Sequence, residues 1–207
     1  MLENLHWLGH SGFYIGSKKG TIVYFDPYQV QDGLPKADII LVSHDHFDHC
    51  SPADIRKLSK AGTVVVGPES IASKLQGSVR AIRAGGELAI GDIGIQAVPA
   101  YNPAKPFHPK SSGFLGFVVA IDGMSIYHAG DTDVIPEMKE IKADVALLPV
   151  GGTYTMGPAE AAQAVEAIKP KVAVPMHYGS VVGSAQDAQE FKRLCKSDVR
   201  ILGAERR

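Results

Sequence analysis

The chain has 207 residues, 45% hydrophobic and 21% charged, with 21 Lys and Arg against 22 Asp and Glu. That length suits one folded domain, residues 1–207, with a sizeable core, and the net charge of −1 gives no global pull toward nucleic acid or an anionic membrane. No stretch approaches the roughly 18 apolar residues of a spanning helix, and MLENLHWLGHSGF lacks a basic run before a long apolar one, so neither membrane insertion nor a signal peptide is expected.

Leu5–Leu8, Gly12–Ile15 and Thr21–Phe25 are short apolar runs split by glycine or by Ser17-Lys18-Lys19-Gly20, which predicts hairpin strands; Pro27 ends the third. Ile39–Val42 is a four-residue apolar run suited to a strand buried on both faces. Ser51 as N-cap, Pro52 at the first helical position and Asp54 at the third predict a helix to about Lys60. Thr63–Val66 reads as a strand, Glu69–Leu75 as a short helix, and Val79–Ile82, Leu88–Ile90 and Ile93–Val98 as strands, the last two joined at Gly91-Asp92. Pro99–Ser112 is a proline-rich loop. Phe114–Ile121 and Ser125–His128 form a hairpin about Asp122-Gly123. Val145–Val150, Val172–Val174 and Val199–Leu202 read as strands, and Pro158–Ile168 and Ala185–Leu194 as helices, the second capped by Ser184 with Asp187 three residues on.

Lys36-Ala37-Asp38 before Ile39–Val42 is echoed by Lys142-Ala143-Asp144 before Val145–Leu148. Two related halves follow, each a sheet with helices on its outer face. Two cysteines, Cys50 and Cys195, suit a reduced cytoplasmic protein, with Cys50 as a small buried residue.

Directly after Ile39–Val42 comes SHDHFDHC, which puts three of the chain's 8 histidines and two aspartates at positions 44–49. In extended chain, residues two apart share a side, so His44 and His46 can reach one metal ion while Asp48 and His49 reach a second beside it. Imidazole nitrogen and carboxylate oxygen suit zinc, and also iron or manganese.

His-x-His-x-Asp-His after a buried strand resembles the metallo-β-lactamase superfamily, and the resemblance extends over nearly the whole chain. It is nearest to the short metal-dependent hydrolases related to ascorbate-phosphate lactonase and N-acylphosphatidylethanolamine phospholipase D. The implied fold is α+β: an αββα sandwich of two mixed β-sheets with helices outside. Tyr127-His128-Ala129-Gly130-Asp131-Thr132 matches the family's Gly-Asp-Thr element, which implies that Asp131 bridges two metals. Pro175-Met176-His177-Tyr178-Gly179 matches its final histidine element, which implies His177 as a ligand. The middle histidine usually comes right after the strand. Here Asn102 follows Pro99-Ala100-Tyr101, and His108 is the histidine left in that loop. The expectation is His108, the alternatives being Asn102 in its place or a one-metal site.

The implied set is therefore His44, His46 and His108 on one ion, Asp48, His49 and His177 on the other, and Asp131 between them with a water or hydroxide. The cofactor expectation is two divalent ions, zinc first, with manganese or iron as alternatives. The implied activity is a metal-bridged hydroxide attacking an ester, lactone or phosphodiester bond of a small, anionic substrate. Leu8-Gly9-His10-Ser11-Gly12-Phe13 resembles the family's N-terminal Gly-His-Ser element, so His10 is a candidate to bond ligands or substrate. Asp26 is a candidate to orient a ligand histidine. Tyr178 is a candidate proton donor, His128 reads as structural, and His6 carries no assignment.

Loops at strand ends should build the pocket mouth, with Tyr28, Tyr101, Lys105, Phe107, Lys110, Tyr154 and Met156 as candidates; Lys105 and Lys110 could attract an anion. A small-molecule substrate is expected, nucleic acid is not, and a homo-oligomer is left open. Two readings compete: a mononuclear iron persulfide dioxygenase, which shares the fold and the histidine run, and a non-catalytic metal-binding module.

Overall fold

The computed structural model describes residues 2–75 and 77–205. The first sheet has six strands in chain order: β1 (Leu5–Gly9), β2 (Gly12–Gly16), β3 (Ile22–Phe25), β4 (Ile39–Leu41), β5 (Val64–Gly67) and β6 (Val79–Ala81). β1, β2 and β3 are antiparallel; β3 to β6 run parallel. The second sheet has seven, ordered from one edge as β13 (Asp198–Val199), β12 (Val172–Met176), β11 (Val145–Pro149), β10 (Met124–His128), β9 (Leu115–Ile121), β8 (Ile93–Pro99) and β7 (Glu87–Ile90). It repeats the plan, with β7 to β10 antiparallel and β10 to β13 parallel.

The internal echo in the sequence has a structural counterpart. Asp38 Oδ2 accepts a hydrogen bond from Ile22 N at 2.9 Å, and Asp144 Oδ2 accepts one from Ser125 N at 2.8 Å. Each aspartate sits at the entry to a buried parallel strand and ties it to the preceding hairpin. Its own carbonyl then accepts from the next strand of the sheet, at Val64 N and Val172 N.

Strand alternation sorts the core. Ile39 and Leu41 point between the sheets, into a core with Phe13, Phe25, Phe117, Val119 and Leu147. Ile40 and Val42 point outward and pack with Ile55 and Leu58 of α1 (Pro52–Leu58). On the other side α2 (Pro158–Ile168) and α3 (Ala185–Leu194) cover the second sheet through Ala161, Ala164, Val165 and Phe191. The layers are helix, sheet, sheet, helix, as expected.

Ser51 Oγ accepts from Asp54 N at 3.4 Å, so the cap reads as the sequence predicts. Asp54 itself turns outward and accepts from Gln29 N and Val30 N, which pins the loop after β3. The helix expected over Glu69–Leu75 is only a 3-10 turn at Glu69–Ile71: Pro68 supplies no side-chain cap, and Ile71 is its one buried residue. The last strand is Asp198–Val199 rather than Val199–Leu202, since only Asp198 and Val199 pair with β12. A 3-10 turn at Pro136–Glu140 has no counterpart among the predicted elements. No helix among the described residues is long and apolar enough to cross a membrane.

Candidate metal centre

The loops that leave the carboxyl ends of β3, β4, β10, β11 and β12, with the loop after β8, gather at one edge of the sandwich. In sheets with parallel strands that edge is where ligands bind. Two backbone bonds hold the elements together there. Leu115 N donates to Ser43 O at 2.9 Å, joining the sheets, and His177 N donates to His10 O at 2.9 Å, joining the β1–β2 turn to the end of β12.

After β4 the chain folds tightly: His49 N and Cys50 N both donate to His46 O. The turn directs His44, Asp48 and His49 inward, all buried, and leaves Phe47 in solvent. Six non-glycine residues among those described have positive φ, and three of them are His10 (50°), Asp26 (40°) and His177 (58°). Such backbone is unfavourable for a side chain and persists where surrounding contacts over-determine it. Gly130 (φ 62°) has a different reason: a Cβ there would lie 2.5 Å from Leu115 O, so only glycine lets the chain reach Asp131.

The side chains converge in two groups. One ligand-type atom from each of His44, His46 and His108 lies within 4.8 Å of the others, and the same holds for His10, Asp48, His49 and His177. Asp131 sits between the groups. Its Oδ2 is 3.3 Å from His108 Nε2 and 3.1 Å from His177 Nε2, and its Oδ1 is 3.2 Å from His49 Nε2.

For His49, His44 and His108, the far side of the ring fixes which nitrogen faces inward. Asp26 Oδ2 accepts from His49 Nδ1 at 2.7 Å and from Ser43 Oγ at 2.6 Å. Ser43 Oγ, its own proton committed to Asp26, accepts from His44 Nδ1 at 2.9 Å. Asn102 Oδ1 accepts from His108 Nδ1 at 2.7 Å and from His108 N at 3.1 Å. In the neutral rings this places the proton on Nδ1 and leaves the Nε2 lone pair pointing into the site.

Those inward atoms are the test of fit for a cation. His49 Nε2, His108 Nε2, His177 Nε2 and Asp131 Oδ1 are buried and make no hydrogen bond. His44 Nε2 faces His46 Nδ1 at 3.1 Å, nitrogen to nitrogen. Buried polar atoms are normally satisfied, and ligands held at about 2 Å from one ion lie about 3–4 Å apart. The residues fit divalent metal ions.

Without metal, burial and neighbouring charges set the protonation of these groups in different directions. Burial holds His44 well below the ordinary imidazole range, helped by His49, and lowers His108 and His10 against the pull of Asp131 and Asp48 respectively. Burial also disfavours a charged His49, yet Asp131 and Asp26 together raise it well above that range. Burial opposes ionisation of Asp131, but His177 and His49 keep it well below the usual carboxylate value.

His10 is buried and its Nε2 meets Asp48 Oδ2 at 2.9 Å, so it orients Asp48 and does not line the cleft. Tyr178, expected as a proton donor, is buried with its ring 4.9 Å from Trp7 and does not line the cleft either. The left-handed turn at His177 sends these neighbouring side chains to opposite sides, and burial pushes the Tyr178 hydroxyl up to about 12. His128 lies beneath the site, accepting from Gly130 N through Nδ1 and donating to Ser11 O through Nε2.

The cleft above the site has a volume of about 480 Å³, and His46, Asp48, His108, Asp131 and His177 form its floor. Phe107 and Tyr154 line it as expected, joined by Phe47 and Val181, which the sequence reading did not single out. The roles expected for Lys105 and Lys110 are corrected. Lys105 Nζ is 2.6 Å from Asp133 Oδ1 and 2.7 Å from Thr155 O; Lys110 Nζ is 2.8 Å from Glu137 Oε1; neither lines the cleft. Both ammonium groups pair with carboxylates of neighbouring segments. Tyr101 and Met156 are buried, and Tyr28 reaches the mouth only through an edge contact to Phe47 at 5.8 Å.

Two mixed sheets between helices, with histidines and aspartates gathered at the carboxyl edge, define a metallo-β-lactamase fold. A family model described as "Beta-lactamase superfamily domain" matches residues 4–177. A UPF0173 metal-dependent hydrolase of Thermococcus kodakarensis is 41% identical, covering 97% of this chain and 96% of the relative. The crystal structure of a Parabacteroides distasonis protein described as a metal-dependent hydrolase superposes with a TM-score of 0.85 at 34% identity, covering 95% of this chain and 91% of that one. A metallo hydrolase from the archaeon Ignicoccus hospitalis superposes with a TM-score of 0.79 at 27% identity, over 97% and 94% of the two chains. The chain belongs to the metallo-β-lactamase superfamily, within its UPF0173 metal-dependent hydrolase family.

Proposed function

We propose that the protein is a dinuclear metal-dependent hydrolase of ester, lactone or phosphodiester bonds in a small molecule. The observation that carries this reading is the set of buried nitrogen and oxygen atoms that face one another across Asp131 without hydrogen bonds. His44, His46 and His108 would hold one ion, and Asp48, His49 and His177 the other, with Asp131 shared. Zinc suits this nitrogen and oxygen set, as do manganese and iron. Two such cations supply Lewis acidity and lower the pKa of a bound water toward neutrality.

The chain's own residues prepare that chemistry. Asp26, Ser43 and Asn102 keep the Nδ1 protons of His49, His44 and His108 on the outer side, so that each Nε2 lone pair stays directed inward. His10 holds one oxygen of Asp48, which restricts how that carboxylate can turn. The cleft opens over the site from one side, so a substrate approaches with its reacting carbonyl or phosphoryl group toward His46, Asp131 and His177. In ester hydrolysis the water oxygen joins the acyl carbon, the acyl–oxygen bond breaks, and one water proton ends on the leaving alcohol. No redox change occurs.

The test is hydrolysis of a panel of carboxylic esters, lactones and phosphodiesters by protein reconstituted with zinc or manganese, with His46→Ala as control. Turnover of one class that His46→Ala lacks is the expected result. Oxygen uptake with a persulfide substrate by an iron form, with no hydrolysis, would overturn it in favour of a dioxygenase.

A further inference from the structure

Phe47, Phe107, Tyr154, Val181 and Leu194 are the large hydrophobic side chains exposed among the described residues, and all but Leu194 line the one cleft above the metal centre. Exposed apolar side chains scattered singly need no explanation; a cluster around a site does. We propose that these four form a subsite for an uncharged aryl or branched alkyl group beside the scissile bond. The preferred substrates are then neutral carboxylic esters or lactones carrying such a group. This rests on the hydrolase reading above.

Three of the four are placed by the centre itself, and Tyr154 comes from the loop after β11. Phe47 lies between His46 and Asp48 and is 65% exposed, although both neighbours face the site. Phe107 directly precedes His108, and Val181 follows His177 by one short turn. Phe107 and Tyr154 meet edge to face at 4.8 Å, and Phe47 meets Tyr28 edge to face at 5.8 Å. Edge-to-face pairing favours a set attitude for each ring, so an aryl group entering the cleft finds aromatic partners already oriented. A cleft of about 480 Å³ is in the range of small-molecule sites.

Charge separates this class from anionic substrates. Lys74 is the only Lys or Arg lining the cleft among the described residues, and its Nζ is bound to Asp45 at 2.9 Å from Oδ2 and 2.6 Å from the carbonyl oxygen. An anionic group remote from the reacting bond would meet apolar rings and a lysine already paired with Asp45. Hydrolysis releases the acid and the alcohol, and the subsite takes whichever half carries the apolar group.

The test uses metal-reconstituted full-length protein and compares benzyl acetate, its para-carboxylate counterpart and methyl acetate. Burial of one aromatic group predicts kcat/KM for benzyl acetate roughly ten-fold or more above both others. Phe47→Ala and Phe107→Ala, at exposed positions, should each lower the benzyl-to-methyl ratio about five- to ten-fold, mainly through KM. Benzylacetone, an uncleavable ketone analogue, should bind by calorimetry and bind more weakly to both variants. If neither these esters nor the panel of esters, lactones and phosphodiesters is cleaved, yet benzylacetone binds in a Phe47-dependent way, the hydrolase reading fails while the subsite stands. If esters are cleaved with no benzyl preference and the variants change nothing, the subsite is overturned and the hydrolase stands. A Phe47→Ala variant that converts a dimer to a monomer by light scattering, with the benzyl-to-methyl ratio unchanged, would make the ring an interface between copies and overturn the subsite too.

Discussion

Asp26 accepts three hydrogen bonds in a position 1% exposed: Ser43 N at 2.7 Å, Ser43 Oγ at 2.6 Å and His49 Nδ1 at 2.7 Å. Asp26→Ala strands all three donors, at about 1–3 kcal/mol each and so about 3–9 kcal/mol in sum. That is a large share of the roughly 5–15 kcal/mol that holds a domain folded. Asp26→Asn keeps one acceptor oxygen and the shape but loses the charge, so most of the fold should survive. Its effect then falls on His49, whose ring is no longer held by a carboxylate. Loss of such an outer partner typically weakens metal binding about 10- to 100-fold. Urea unfolding of the metal-free variants measures the first effect. Competition against a chelator measures the second, with one of the two ions affected more than the other. Asp26→Ala within about 0.5 kcal/mol of the parent, an ordinary surface-substitution effect, would refute the reasoning. So would an Asp26→Asn variant that binds both ions unchanged.

Further outcomes follow from the same contacts. His46→Ala, at an exposed ring on the cleft floor, should abolish activity with little change in melting temperature; full turnover would remove His46 from the centre. His108→Ala should be severe, and Asn102→Ala should lower metal affinity about ten-fold by freeing the His108 ring, as read by chelator competition. Gly130→Ala forces a Cβ to 2.5 Å from Leu115 O at positive φ and should cost about 3 kcal/mol or more in urea unfolding. The metal-free protein should lose stability on acidification. Burial holds His10, His44, His108 and His128 below their unfolded value, so the unfolded chain binds more protons below about pH 6.5. His49 works oppositely: its contribution is full below that pH and is lost as pH rises through its raised folded value. Four groups against one predict a lower Tm near pH 5.5 than near pH 7.5; an equal or higher Tm at the acid pH would contradict this burial argument.

The sandwich was readable because its signals are local. Ile39–Val42 sits where a strand buried on both faces belongs, and Ser51-Pro52 starts a helix by capping chemistry alone. The repeated Lys-Ala-Asp before each buried strand marked the two halves, and Asp38 and Asp144 make the same bonds. The His44–His49 run was legible as a cluster because its members are neighbours in sequence. What escaped depends on partners far along the chain. Lys105 and Lys110 looked free because Asp133, Thr155 and Glu137 come much later. Asn102 competed with His108 as a ligand in the sequence, whereas in the fold it bonds the far nitrogen of the His108 ring. Phe47 carried no signal either: the sequence of the run does not say which way its ring points, and the turn at His46 faces it outward.

The central claim is tested most directly by elemental mass spectrometry of gently purified protein with no metal added, counting ions per chain. About two divalent ions per chain, falling to one or fewer in His177→Ala, is the predicted result. One iron per chain in the parent, or no metal even after reconstitution, would contradict the dinuclear centre around Asp131.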